Sequence, residues 1–161
     1  MSVTEGRPVR ALTLHQPWAH AIAHLGKDVE NRTRRTNFRD GLVLVHAGAR
    51  VDHDALRDLP ADVAAAMTSS AVVAVTRITD AHPDCGGRCS TWAQPGAWHW
   101  QLAGTVALTA PVPAPGAQGL WIPDDGLRRR VARALPAHAA DRLGPLLASD
   151  LFPSPERTGR L

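Results

Sequence analysis

Gly41-Leu42-Val43-Leu44-Val45-His46 and Ala71-Val72-Val73-Ala74-Val75-Thr76-Arg77-Ile78 decide the fold class of this chain. Both are apolar on successive residues, so both of their faces must be covered and neither suits the edge of a sheet. Upstream, Val9 to Leu14 alternates and predicts a first strand. Pro17 stands where a helix accepts its first residue, and Trp18 to Leu25 continues as a short helix that Gly26 ends. Asp28 to Arg32 is expected to run extended, and Asp52 to Met67 reads as helix in two pieces, split at Pro60. A loop rich in Gly, Pro and Cys follows from Ala81 to Gly96. Trp98 to Leu102 and Thr105 to Pro111 are expected as two short strands joined at Gly104, before a loop from Pro113 to Pro123. Arg128 to Leu147 reads as helix broken at Pro136 and Pro145, and the tail beyond Pro153 is expected to be disordered. Strands with helices inserted between them, but without regular βαβ alternation, predict an α+β barrel rather than a doubly wound sheet. No Rossmann or P-loop signature is present.

The bulk properties narrow the class. A chain of 161 residues suits one domain with a real core, and 44% hydrophobic with 20% charged residues is ordinary for a water-soluble domain. No apolar run approaches the roughly 18–20 residues that span a bilayer, so no membrane partner is expected. The N-terminus lacks the apolar core of a signal peptide, and the expected location is the cytoplasm. There Cys85 and Cys89 are expected as thiols. The formal charge is only +3, carried almost wholly by arginine, because Lys27 is the sole lysine. Arginine keeps its proton and grips phosphate with two N–H groups at once, so a local cluster matters more than the net charge.

The chemistry concentrates between residues 12 and 47. In an extended segment Asp28, Glu30 and Arg32 share one face and Val29 takes the other. Lys27 belongs to the wrong face, and reaches Glu30 only if Gly26 and Lys27 form the turn into the strand. An acid would then stand between two bases of different character, one titratable and one permanently charged. As an ordinary surface ion pair the same set is worth only about 0–1 kcal/mol. Arg32, Arg34, Arg35 and Arg39 precede the Gly41 strand, where a loop at a cleft mouth meets backbone phosphates. Arg128, Arg129, Arg130 and Arg133 form a second basic group, read as solvated. Gln16 and Trp18 offer an amide and a stacking surface for a base, with Trp18 equally readable as core. His46 ends a buried strand, and Trp98 and Trp100 share a face opposite His99. His82-x-x-Cys85-x-x-x-Cys89, with His99 nearby, has ligand types compatible with zinc. Its second spacing is looser than a Cys-x-x-Cys knuckle and no second pair exists, so neither metal nor cofactor is assigned. His20 and His24 share a helix face, but no Glu follows the first, so they form no protease motif.

Five segments in order, Gln16-Pro17-Trp18, Gly26-Lys27-Asp28-Val29-Glu30-Asn31-Arg32, Leu42 to Ala47, His99-Trp100-x-Leu102 and Gly116-x-Gln118-Gly119-Leu120-Trp121, resemble the bacterial branch of the ASCH family. The resemblance spans roughly residues 10 to 122. It implies a PUA-like small mixed β-barrel with flanking helices: an ASCH domain over 8–123, a helical extension packed on it over 124–152, and a tail over 153–161. It implies a cleft that binds RNA, DNA or a modified nucleoside, with RNA foremost, through Gln16, Trp18, Arg32, Arg35, Arg39, His46, Trp100 and Gln118. Some family members remove an acyl group from the exocyclic amine of cytidine and others act as ribonucleases. On that reading Lys27 and Glu30 are the catalytic candidates, although the short amidohydrolase branch carries Thr where this chain has Glu30. A partner-binding module in transcription is the third implied role. Oligomeric state stays open.

Overall fold

The computed structural model describes residues 8–149. The expected tail over 153–161 and the last three residues of the expected extension lie outside the described residues. In chain order the elements are β1 (Val9–Gln16), α1 (Trp18–His24), β2 (Val29–Arg32), β3 (Leu42–Val51), α2 (His53–Arg57), α3 (Ala61–Ala65) and β4 (Ala71–His82). Then come β5 (Trp98–Pro113), β6 (Leu120–Trp121), α4 (Asp125–Arg133) and α5 (Ala137–Ala148). The fold is α+β. The six strands of the described residues form one sheet in the order β2-β5-β4-β3-β1-β6, an open ladder with β2 and β6 at its edges. β1 and β3 run parallel, with Val9 opposite Leu42, while β3–β4 and β4–β5 are antiparallel.

The unbroken apolar run of β3 is explained by cover on both sides. Leu42 and Leu44 pack in one core with Leu127, Val131, Leu143 and Leu147, so α4 and α5 lie on that face. Val43 and Val45 point the other way, into a second core with Ala19 and Ile22 of α1, Ile78 and Trp100. The C-terminal helices therefore complete the main core. Arg128, expected among solvated arginines, is buried: it donates to the Ser149 carbonyl at 3.1 Å and pairs with Asp125, which ties α4 to the end of α5.

Three element readings change. The two strands expected on either side of Gly104 are one strand of 16 residues. Gly104 has φ +64 but makes a bulge, not a turn: Arg77 opposes Ala103, Val75 opposes Val106, and the pairing resumes beyond. Pro145 does not break α5, which runs through it to Ala148, three residues from the helix end. The loop after Pro113 contains a strand too short for any periodicity to reveal, β6, which pairs with β1 through Ala11–Trp121 and Leu12–Leu120.

Because one sheet joins both cores, Leu143→Ala on one face and Ile22→Ala on the other are each expected to cost about 2–5 kcal/mol. Urea unfolding should stay a single transition with a lowered midpoint in both variants. A separate early transition in Leu143→Ala would show that the helical pair is an independent unit.

Candidate functional site

The site is built on the ribbon of β2 and β5. Glu30 pairs with Trp100, Asn31 with His99 and Arg32 with Trp98. Directly paired residues point to the same side, so Glu30, Arg32, Trp98 and Trp100 share one face, and Asn31 and His99 take the other. Gly26, at φ +73, supplies the turn that folds Lys27 back, and the Lys27 amide donates to Ala21 of α1 at 3.1 Å.

The charged side chains then form a file. Lys27 Nζ donates to the Val29 carbonyl, lies 3.4 Å from Glu30 Oε2, and stands 5.7 Å from the centre of the Trp18 ring. The other Glu30 oxygen is 3.7 Å from Arg32 Nη1, and the Arg32 guanidinium sits 5.5 Å from the centre of the Trp100 ring. Lys27 is 3% exposed and Glu30 7%, and only Arg32, half-buried, reaches the surface. Burial pushes the Lys27 amine down, against the pull of Glu30 and Asp28. It pushes the Glu30 carboxyl up, against the pull of Lys27 and Arg32. Burial and pairing thus oppose each other at both groups, and burial is the larger effect.

In front of Arg32 opens a cleft of about 1000 Å³, walled by β1, by β3 and by the loops over 33–36 and 116–119. Arg32, Arg34, Arg35 and Arg50 line it, together with His15, and among the described residues no acidic one does. His46 stands in its wall, 1% exposed. Its Nε2 is 2.7 Å from the Ala114 carbonyl, which can only accept, so Nε2 carries the proton and Nδ1 is left as an acceptor. That Nδ1 is buried and has no hydrogen-bond partner among the described residues. Gly116 packs closely against this edge of the ring, where a Cβ would fall 2.7 Å from Thr13 Oγ1 and 2.8 Å from His46 Cε1.

The cleft brings together Arg32, Arg35, His46, Trp100 and Gln118 of the residues expected from sequence. Gln16, Trp18, Lys27, Glu30 and Arg39 are not on its lining. The Gln16 amide is committed elsewhere, donating to the Thr68 carbonyl at 2.7 Å and accepting from the His20 amide at 3.0 Å. Arg39 donates to the Thr36 and Phe38 carbonyls at 2.9 Å each and faces Asp80 at 3.8 Å, so it shapes the arginine loop from behind. Trp100 braces the same loop, its indole N–H donating to the Arg34 carbonyl at 2.9 Å. Sequence reasoning missed Arg50 and Gly116 as site residues. Arg50 lies on the part of β3 beyond the apolar run, and Gly116 has a role only through its contact with His46.

On the other side of the ribbon, His82, Cys85, Cys89 and His99 are the described residues that can hold a metal, their ligand atoms within 4.8 Å of one another. No protein-family model matches the chain, and no curated protein matches it.

Replacing Glu30 by Leu strands the Lys27 ammonium in the interior and is expected to cost on the order of 3 kcal/mol. Adding Lys27→Met should restore most of that loss. Additive losses in chemical denaturation of the double variant would contradict a coupled buried pair.

Proposed function

We propose that the chain is an ASCH-type, PUA-like domain that binds single-stranded nucleic acid, RNA foremost, in the arginine-lined cleft. The observation that carries this reading is the conjunction of four arginines on a cleft with no acidic residue among its described lining and a buried histidine acceptor lacking a hydrogen-bond partner among the described residues. Arginines of this kind hold backbone phosphates. The His46 Nδ1 lone pair suits an N–H donor, such as the exocyclic amine of cytosine or adenine, and the Gln118 amide offers both a donor and an acceptor to a base edge. Trp100 is largely covered, with Arg32 above it, so the guanidinium plane is the surface on which a base would stack. Four of the five segments that resemble the family contribute a residue to this one cleft, through Arg32, His46, Trp100 and Gln118, which supports the family reading.

The position of Lys27 favours binding over hydrolysis by that amine. Its Nζ is enclosed by Val29, Glu30 and Trp18, and the Lys27–Glu30 pair supports Arg32 from behind rather than meeting a ligand.

Labelled single-stranded RNA and DNA should bind the full chain in fluorescence anisotropy, with affinity falling steeply as salt rises. Arg34→Ala with Arg35→Ala should weaken RNA binding about tenfold or more and flatten the log–log salt slope by about 1.4, two phosphate contacts at about 0.7 each. Gly116→Ala should abolish the base preference while keeping the salt slope, because its Cβ would press on Thr13 and on the His46 ring and displace them. Absence of binding to RNA, DNA or nucleosides at low salt would end this reading. Release of acetate from N4-acetylcytidine, lost in a folded Lys27→Met protein, would replace it with the hydrolase.

A further inference from the structure

The feature that the cleft does not use is the loop between β4 and β5. His82, at the end of β4, lies directly opposite His99 on β5. Their rings meet edge to face at 5.4 Å. From the loop, Cys85 Sγ and Cys89 Sγ come within 3.6 and 3.5 Å of the same atom, His99 Nδ1. Gly86 and Gly87, at φ +70 and +79, let the chain fold back so that both sulfurs reach that point.

We propose that His82, Cys85, Cys89 and His99 form a structural Zn²⁺ site. Distance is the first support for this site. Zinc bonds of about 2.3 Å to sulfur and about 2.0–2.1 Å to nitrogen, at the tetrahedral angle, put sulfur and nitrogen about 3.5 Å apart. The two sulfur–nitrogen separations found here match that edge. Second, both histidines present the right atom. His99 Nε2 is 2.8 Å from the Gln94 carbonyl, so it carries the proton and leaves Nδ1 free to coordinate. His82 Nδ1 is buried with no hydrogen-bond partner among the described residues. Third, two thiolates and two neutral imidazoles give a neutral complex with Zn²⁺, which suits a position where His99 is fully buried. Binding releases two thiol protons to solvent. Four protein ligands leave no open position, so the metal holds structure and does no chemistry.

What it holds is the outer edge of the ribbon. Gln94, which fixes His99, has its amide on Asn31 Oδ1 at 2.9 Å, and Asn31 Nδ2 donates to the Trp92 carbonyl at 2.9 Å. Asp84 clamps the loop by accepting from the Gly86 and Gly96 amides at 2.9 and 2.8 Å. The loop thereby covers β2, a four-residue edge strand, on the side away from the cleft. This inference is independent of what the cleft binds.

The full chain, purified without a histidine tag or chelator, should carry about one zinc per molecule by elemental analysis. Co²⁺ added to the reduced, zinc-free protein should give tetrahedral d–d bands with thiolate charge transfer, saturating at one equivalent. Cys85→Ser with Cys89→Ser should lose both signals. His82→Gln, which keeps three ligands, should retain a weakened and shifted Co²⁺ spectrum. A chelator should lower the Tm of the wild type and leave that of the double variant unchanged. The proposal is overturned if the reduced wild type, with both thiols titratable, neither retains zinc nor develops the Co²⁺ bands. Unchanged zinc content in the folded cysteine variant, or a Cys85–Cys89 disulfide in anaerobically prepared protein, overturns it equally.

Discussion

The two faces of the ribbon between β2 and β5 separate the arginine-lined cleft from the His82, Cys85, Cys89 and His99 cluster. Side chains on paired strands alternate strictly, and that alternation assigns Trp98, Trp100, Glu30 and Arg32 to one side and His99 and Asn31 to the other. A slip of one residue in the pairing would exchange the two sets, putting a histidine into the core beneath the cleft and an ion pair among the cysteines. The register is held by burial of Trp100 and Val29 and by the Leu102 amide donating to the Asp28 carbonyl at 2.8 Å. β2 has a neighbour on only one side. Its second edge is therefore covered by the loop over 83–97, through Asn31 and through Ser90, which donates to Asp28 Oδ1 at 2.5 Å.

Behind the cleft, electrostatics and burial work against each other and reach a compromise. A lone lysine or glutamate at the depth of Lys27 or Glu30 would shed its charge. Together, and with Arg32 on the outer side, they form one file that gives the half-buried guanidinium a fixed position beside Trp100. Such an arrangement adds little net stability compared with apolar residues of the same size. Its value lies in geometry: an arginine held by a carboxylate and an aromatic ring presents its remaining N–H groups in one direction.

Much of the fold was readable from local chemistry. The unbroken runs of β3 and β4 demanded cover on both faces, and the two cores supply it. Pro17 and Gly26 bracketed α1, and Pro60 separated α2 from α3. Gly104 misled because a glycine at positive φ serves a bulge as well as a turn, and only the partner strand decides between them. β6 left no trace, since two residues carry no period. Cys85 and Cys89 are spaced more loosely than a Cys-x-x-Cys knuckle, and only the pairing of His82 with His99 across the sheet shows that the four side chains meet.

By itself the sequence determined the α+β class, most of the strands, and the short set of polar residues capable of chemistry. Those follow from periodicity, turn residues and side-chain type, which are local. Only the tertiary structure decided which of them meet. Gln16, Lys27, Glu30 and Arg39 have the right functional groups, yet their polar atoms are taken by Thr68, Val29, each other and the loop carbonyls. Arg50, Gly116 and the ring edge of His46 face the cleft instead. Whether a polar atom is free for a ligand depends on neighbours distant in the chain, and no pattern within one segment contains that information.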